Sequence, residues 1–279
     1  MSEDRFAREG GRNRFTARAA TVLRVERVAP PIVRVTVSGP DFADFTSTGP
    51  ADHVRVYFPD AATGELVAPT PTGPGEDGIV RPDRASIARD FTPLPRTTAD
   101  GVEVDLDFFV HPDPGPASAW AEGARPGDRL VLVGPRGSRR APQGIDGLVL
   151  ICDETSLPSA SRWVRGIPVG IPVDVIASVH GDGRWVQDYL DADAAAPGIR
   201  VHTLPPDPSG ASVIAALPPI GEGVFVWAAG EAAGLVPVRR HLRRALGLGP
   251  AQAQVSGYWR RGVEAFDHHA PIDPFDPDV

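Results

Sequence analysis

Arg89-Asp90-Phe91-Thr92 puts a guanidinium, an aromatic ring and a hydroxyl within four positions. On an extended strand Arg89 and Phe91 share one face and Thr92 takes the other. Such a face suits a flavin, which needs an apolar wall, a donor for the ring edge, and a cation for its pyrophosphate or for the charge that develops at N1 on reduction. The same tetrapeptide also reads as a strand with a core Phe and a solvated Arg. Further on, His111 closes an alternating run, and Gly115-Pro116-Ala117-Ser118 opens a helix that carries Trp120. Small residues at a helix N-terminus expose backbone amides to an anion such as a phosphate; a plain turn with an N-cap uses the same residues. Gly134-Pro135-Arg136-Gly137-Ser138 adds a basic glycine turn. Taken in order, the stretch suits a ligand with one flat ring and one pyrophosphate.

A second group lies downstream. Asp153-Glu154-Thr155-Ser156-Leu157-Pro158 follows an apolar strand and opens a helix, the place where open α/β sheets bind ligands. Capping by Thr155 or Ser156, with Pro158 in the first turn, is compatible with that role. Trp227-Ala228-Ala229-Gly230-Glu231 repeats the arrangement after a later strand, and its small residues leave room for a nicotinamide or its phosphates. Ser178, His180 and Arg184 follow the second strand of this region, with Asp182 as the only acid among them. That composition favours a 2′-phosphate over a 2′-hydroxyl, hence NADPH over NADH. No G-x-G-x-x-G accompanies these turns. His268-His269 sits in a tail rich in Pro and Asp, and no metal site is expected.

The elements that must position these residues change character midway. Through residue 133 the apolar period is two: Ile32–Val37, His53–Phe58, Val102–Val110 and Asp128–Val133 read as short strands. Residues 60–84 read as a long exposed loop, and Ala117–Glu122 as the one helix. This is the pattern of a small antiparallel barrel. After Gly147 a continuously apolar strand (148–152) and further strands (173–179, 199–204, 224–228 and 254–259) alternate with helices over 157–164, 185–190, 209–217 and 231–246. Strand and helix in alternation predict a parallel, doubly wound sheet. The expected division is a flexible arm over 1–14, a barrel domain over 15–142, an α/β domain over 143–262 and an extended tail over 263–279.

Bulk properties narrow the classes. The 279 residues suffice for two ordinary domains, with 42% hydrophobic and 23% charged residues, as in soluble globular chains. A net charge of −8 disfavours general nucleic-acid binding. There is no Lys, so every side-chain cation other than His is a guanidinium. The single Cys152 excludes an intrachain disulfide, and its simplest role is that of a small buried hydrophobe. No apolar run approaches the ~18 residues of a membrane span. The expectation is a cytoplasmic, monomeric protein.

The ordered set Arg89-Asp90-Phe91-Thr92, Asp107-Phe108-Phe109-Val110-His111, Gly115-Pro116-Ala117-Ser118, Arg125-Pro126-Gly127-Asp128 and Gly134-Pro135-Arg136-Gly137-Ser138 carries a resemblance. It continues through Asp153-Glu154-Thr155-Ser156-Leu157-Pro158, Ala229-Gly230-Glu231 and Gly257-Tyr258-Trp259-Arg260-Arg261-Gly262. From about Phe15 to Gly262 the series resembles the siderophore-interacting protein family of FAD-dependent ferric-siderophore reductases, within the ferredoxin-reductase-like superfamily. The resemblance implies a six-stranded-type FAD-binding barrel followed by an NAD(P)H-binding α/β domain. It also implies Arg89, Asp90, Phe91 and Thr92 at the isoalloxazine and adjoining chain. His111, Gly115, Ala117 and Ser118 would then lie at the pyrophosphate, with Trp120 nearby. Asp153, Thr155, Gly230 and Glu231 would lie on the nicotinamide side, and Ser178 and Arg184 at the adenosine ribose. Arg136 and Arg260 or Arg261 fall where the family receives its anionic ferric siderophore. Three positions depart from the family pattern: Phe91 replaces a Tyr, Leu94 an Arg and Cys152 a Gly. Two other classes fit the same residues, a flavin reductase or electron-transfer component fed by NAD(P)H or ferredoxin, and a non-catalytic binder on the same fold.

Overall fold

The computed structural model describes residues 4–191 and 198–276. The chain forms two compact units, Gly10–Arg140, and Ala141 onward together with the residues up to Glu9.

In the first unit the strands are β1 (Gly10–Arg12), β2 (Ala17–Ala29), β3 (Ile32–Ser38), β4 (Val54–Tyr57), β5 (Thr70–Pro71) and β6 (Ile79–Val80). They continue as β7 (Ala88–Phe91), β8 (Leu94–Thr98), β9 (Gly101–Phe109), β10 (Arg129–Val133) and β11 (Gly137–Arg139), with helix α1 (Pro116–Gly123) after β9. Seven strands make one antiparallel sheet in the order β7-β4-β10-β2-β3-β9-β8. Its two edges, β7 and β8, are joined by only Thr92-Pro93. So short a link requires the edges to meet, and the sheet curls into a barrel. The seventh strand exceeds the six expected because Leu94–Thr98 pairs with β9 despite its Pro95, a residue that an edge strand tolerates. The loop expected over 60–84 contains the β5–β6 hairpin.

Alternation places Val104, Leu106 and Phe108 of β9 in the core with Val35, Val37, Val54, Val56, Leu130 and Leu132. Each such side chain contributes about 1.5–3 kcal/mol by leaving water. The opposite face of β9 is covered too. Asp107 takes a bidentate bond from Arg34 (2.7 and 2.8 Å), and Asp105 accepts from Thr36 and Arg96. Burial pushes the Asp105 carboxyl up, while Thr36 and Arg34 pull it back.

The second unit contains β12 (Gly147–Asp153), α2 (Leu157–Gly166), β13 (Val173–Ser178), α3 (Trp185–Asp191) and β14 (Ile199–Leu204). After these come α4 (Ala211–Ala216), β15 (Val224–Glu231), α5 (Ala232–Arg240), a π turn over His241–Ala245, and β16 (Ala253–Trp259). All five strands are parallel, in the order β14-β13-β12-β15-β16. The order reverses between β12 and β15, so the switch-point crevice opens beside Asp153 and Glu231. Every residue of β12 is buried, which explains its unbroken apolar run.

Both termini differ from expectation. The loose arm is in fact packed from its first described residues. Phe6 is buried against Phe225, Arg5 pairs with Asp146 at 2.9 Å, and Arg8 lies 4.8 Å over the Trp163 ring. The tail is not extended: Ile272 is buried, and Asp273 and Asp276 pair with Arg240 and Arg244 on and after α5. A buried isoleucine and two ion pairs outweigh the stiffness of the surrounding prolines. The first three residues of the expected arm and the last three of the tail lie outside the described residues.

Candidate functional site

In the first unit, Phe91 stands opposite Val54 and Arg89 opposite Val56, so both turn to the core face of β7 as alternation predicts. Asp90 is on the other face, where Arg55 grips it at 2.9 and 2.8 Å. That pairing keeps Asp90 on the face away from Arg89 and Phe91. Thr92 is buried in the link that closes the barrel. Leu94, just beyond it, is buried at the start of β8.

Phe91 is half-buried, 4.5 Å from the Phe108 ring and 6.0 Å from Phe58. Trp120 of α1 packs on the same two rings, at 5.2 Å from Phe58 and 5.9 Å from Phe108. One aromatic cluster therefore ties β7, β9 and α1 together. The Ser118 hydroxyl donates to the Phe109 carbonyl at 2.9 Å, which locks the start of α1 onto the end of β9. No side chain caps this helix, and Pro116 has no amide to offer, so the Ala117 and Ser118 amides face outward as helix geometry leaves them. A Cβ added to Gly115 would meet nothing within 4 Å, so a phosphate has room to approach. His111 is exposed and stacks on Phe109 at 5.3 Å.

These residues fit a flavin: an aromatic wall and an uncapped helix start are joined by direct packing, and a half-buried cation shares the Phe91 face of β7. A cavity of about 730 Å³ on this unit is lined by Ala17, Ala19, Thr70, Arg129 and others, but of the expected flavin contacts only by Trp120. Arg136 lies with its guanidinium 3.8 Å over the Phe15 ring, a cation–π contact that holds an exposed cation in a defined place.

In the second unit, Asp153 closes β12 and its carboxylate is engaged on both sides. Oδ1 accepts from the Thr155 amide (3.0 Å), the Thr155 hydroxyl (2.6 Å) and the Ser156 amide (3.2 Å). Oδ2 accepts from the Glu231 amide (2.9 Å) and the Trp259 indole (2.8 Å). The side chain thus ties the ends of β12, β15 and β16. Burial pushes its carboxyl up, against the pull of the Thr155 and Trp259 donors. Gly230 makes this close approach possible: at φ 149° it occupies backbone space that other residues rarely adopt. A Cβ there would sit 2.5 Å from Asp153 Oδ2. Glu231 caps α5 through the Gly234 amide at 2.7 Å and accepts the Arg261 amide at 3.2 Å.

The expected crevice residues Asp153, Thr155, Gly230 and Glu231 are therefore brought into one cluster, and Trp259 joins them. Cys152 is buried in β12, and burial pushes its thiol up. Of the two candidate substrate arginines, Arg260 reaches back to the Ile272 carbonyl at 3.2 Å and stacks on Phe266, while Arg261 is exposed. Folding of the tail occupies Arg260 and leaves Arg261 as the cation presented to solvent.

Ser178 ends β13, and the turn after it carries His180 and Arg184. Sequence reading did not see that the buried Glu154 accepts both the His180 amide (2.6 Å) and its ring Nδ1 (2.9 Å). The Asp-Glu-Thr order was the available signal, but capping by its neighbours accounted for it without a partner 26 residues away.

Residues 21–139 match the siderophore-interacting FAD-binding domain, and residues 145–262 match the siderophore-interacting protein domain. An NADPH-dependent ferric-chelate reductase of Escherichia coli is 33% identical over 89% of this chain and 94% of its own. A ferric vibriobactin reductase of Vibrio cholerae is 26% identical over 92% of this chain and 94% of its own. The crystal structure of a siderophore utilization protein from T. fusca superposes with a TM-score of 0.81 at 35% identity, covering 95% of this chain and all of that one. No helix among the described residues is long and apolar enough to cross a membrane.

Proposed function

The chain belongs to the siderophore-interacting protein family, and we propose that it is an FAD-dependent reductase that delivers electrons from NADPH to Fe(III) held by an anionic siderophore. The observation that carries this reading is the barrel seam, where the half-buried Phe91, with Arg89 on its face of β7 and Thr92 next in the chain, shares the Phe108 ring with Trp120 of the uncapped α1. FAD, when bound, accepts electrons in pairs from a nicotinamide and releases them singly.

The chain's own residues bind and orient. Phe91 would wall the ring, and Arg89 would balance its charge or its pyrophosphate. The Ala117 and Ser118 amides, with Gly115 and His111, would take the phosphates beside Trp120. Phe91 supplies no phenol, so the ring edge must find its donors in Thr92 and the backbone. The crevice formed by Asp153, Thr155, Gly230 and Glu231 would line the nicotinamide, with Ser178 and Arg184 toward the ribose. Arg136 and Arg261 would attract the ferric chelate. Hard oxygen ligands hold Fe(III) better than Fe(II), so reduction frees the iron and no side chain has to act as an acid or nucleophile. The reaction is assigned to the cytoplasm, a reducing compartment, with the chain acting as a monomer.

The test is spectroscopic. Purified protein is expected to show visible flavin bands, to bleach under NADPH without oxygen, and to recover its colour when a ferric siderophore is added. A ferrous-specific chelator should then trap the released iron. No flavin bands even after FAD is supplied would overturn the reading. Bleaching by reduced ferredoxin alone would put an iron–sulfur donor in the place of NADPH. Arg136→Ala should raise KM for an anionic ferric chelate about tenfold, the worth of one charge-assisted contact, and leave KM for NADPH in place. An equal rise in both would assign Arg136 to the nucleotide.

A further inference from the structure

The turns that follow β12 and β13 are cross-linked by a carboxylate. Glu154 is only 4% exposed, yet its Oε1 receives both the His180 amide (2.6 Å) and the His180 Nδ1 (2.9 Å), while the His180 side chain remains 60% exposed. Two bonds from one residue to one oxygen fix both the backbone and the ring of His180. The rest of the turn is packed as well: a Cβ on Gly183 would lie 2.6 Å from the Thr203 Cβ of β14. Arg184 differs: it is 91% exposed and pairs with its neighbour Asp182 at 3.2 Å.

In doubly wound sheets that bind NAD, an acidic residue near the end of the second strand hydrogen-bonds the ribose 2′-hydroxyl. Here the buried acid near that place points inward and is engaged by His180. The acid in the turn itself, Asp182, is paired with Arg184. The exposed edge is left with imidazole, guanidinium and the Ser178 hydroxyl, groups that suit a 2′-phosphate.

We infer that His180 contacts the 2′-phosphate of the dinucleotide and that Glu154 is the positioning residue that aims it. Together they set the preference for NADPH over NADH. The inference rests on the reductase reading above. It extends that reading by moving the main discriminating contact from the loosely held Arg184 to an imidazole anchored on a buried carboxylate.

The test uses the FAD-loaded full chain with 2′,5′-ADP and 5′-AMP as probes, read by titration calorimetry, so no turnover is needed. His180→Ala should weaken 2′,5′-ADP about tenfold and 5′-AMP less than twofold. Glu154→Gln should weaken 2′,5′-ADP several-fold in the same selective way, and KM for NADPH should rise while KM for NADH stays put. Arg184→Ala should have the smaller effect. Parallel weakening of both probes in Glu154→Gln would show a merely structural carboxylate and overturn the inference. Retained selectivity in His180→Ala would overturn it too. A wild-type protein that binds both probes equally sinks this inference alone; one that NADPH cannot reduce and that binds neither probe sinks the reductase reading with it.

Discussion

Asp153→Ala is expected to lower the stability of the α/β unit by about 3 kcal/mol, because it strips the acceptor from several buried donors at once. The Thr155 and Ser156 amides, the Glu231 amide and the Trp259 indole all lose their shared partner. Asp153→Asn should fare little better. An amide presents one oxygen and one NH2, so either the Thr155–Ser156 side or the Glu231–Trp259 side must face a donor with a donor. Calorimetry of the two variants checks this: a loss below about 1 kcal/mol in both would show that water replaces the carboxylate without penalty. The same knot holds the mouth of the crevice, so the variants should also lose NADPH-driven bleaching of the flavin.

Arg18→Met is expected to cost the barrel unit about 1–3 kcal/mol, chiefly from the backbone carbonyls it leaves without a donor. Arg18 is 1% exposed and donates to the Asp41 carbonyl (3.0 Å), the Gly134 carbonyl (3.1 Å) and the Asp44 carboxylate (3.0 Å), with its plane 5.4 Å from the Phe45 ring. A methionine fills much of the volume and satisfies none of these acceptors. Burial alone would raise the Asp44 carboxyl, but Arg14 and Arg18 hold it below the usual carboxylate range. A depressed carboxyl adds stability that is present above about pH 3.9, its unfolded value, and lost as pH falls through the folded value. The wild-type barrel should therefore weaken in acid below that point, and Arg18→Met should show a shallower acid slope. Equal slopes in denaturant titrations across that range would remove Asp44 from the account.

These two clamps mark where sequence patterning stops being informative. Alternation found β9 and the core strands of the barrel, and apolar runs found β12 and β15, because burial on one face or on both writes itself into composition. On β2, Arg18 stands between two alanines as one more polar position. Nothing local says that three acceptors converge on it from loops 23 to 116 residues away. Asp153 and Thr155 were legible as crevice residues from their place after β12. That Asp153 ties three strand ends together was not, since two of its donors come from 78 and 106 residues downstream. The tail failed for a related reason: its prolines and acids describe an extended segment until Arg240 and Arg244 are seen to wait for them. Strand alternation alone puts Arg89 and Phe91 on one face of β7, whereas the packing of Trp120 on Phe58 and Phe108 depends on rings far away in sequence.

Cys152 offers a clock. It is the only thiol in the chain, it lies in the central strand of the parallel sheet, and burial both hides it and pushes its ionisation up. Disulfide reagents attack the thiolate, so the closed sheet leaves them almost nothing to react with. The labelling rate then counts openings of the α/β unit one molecule at a time, with the barrel contributing no background. Nucleotide bound at the neighbouring strand ends should slow that count in proportion to its occupancy, a measure of crevice binding that needs neither flavin colour nor turnover.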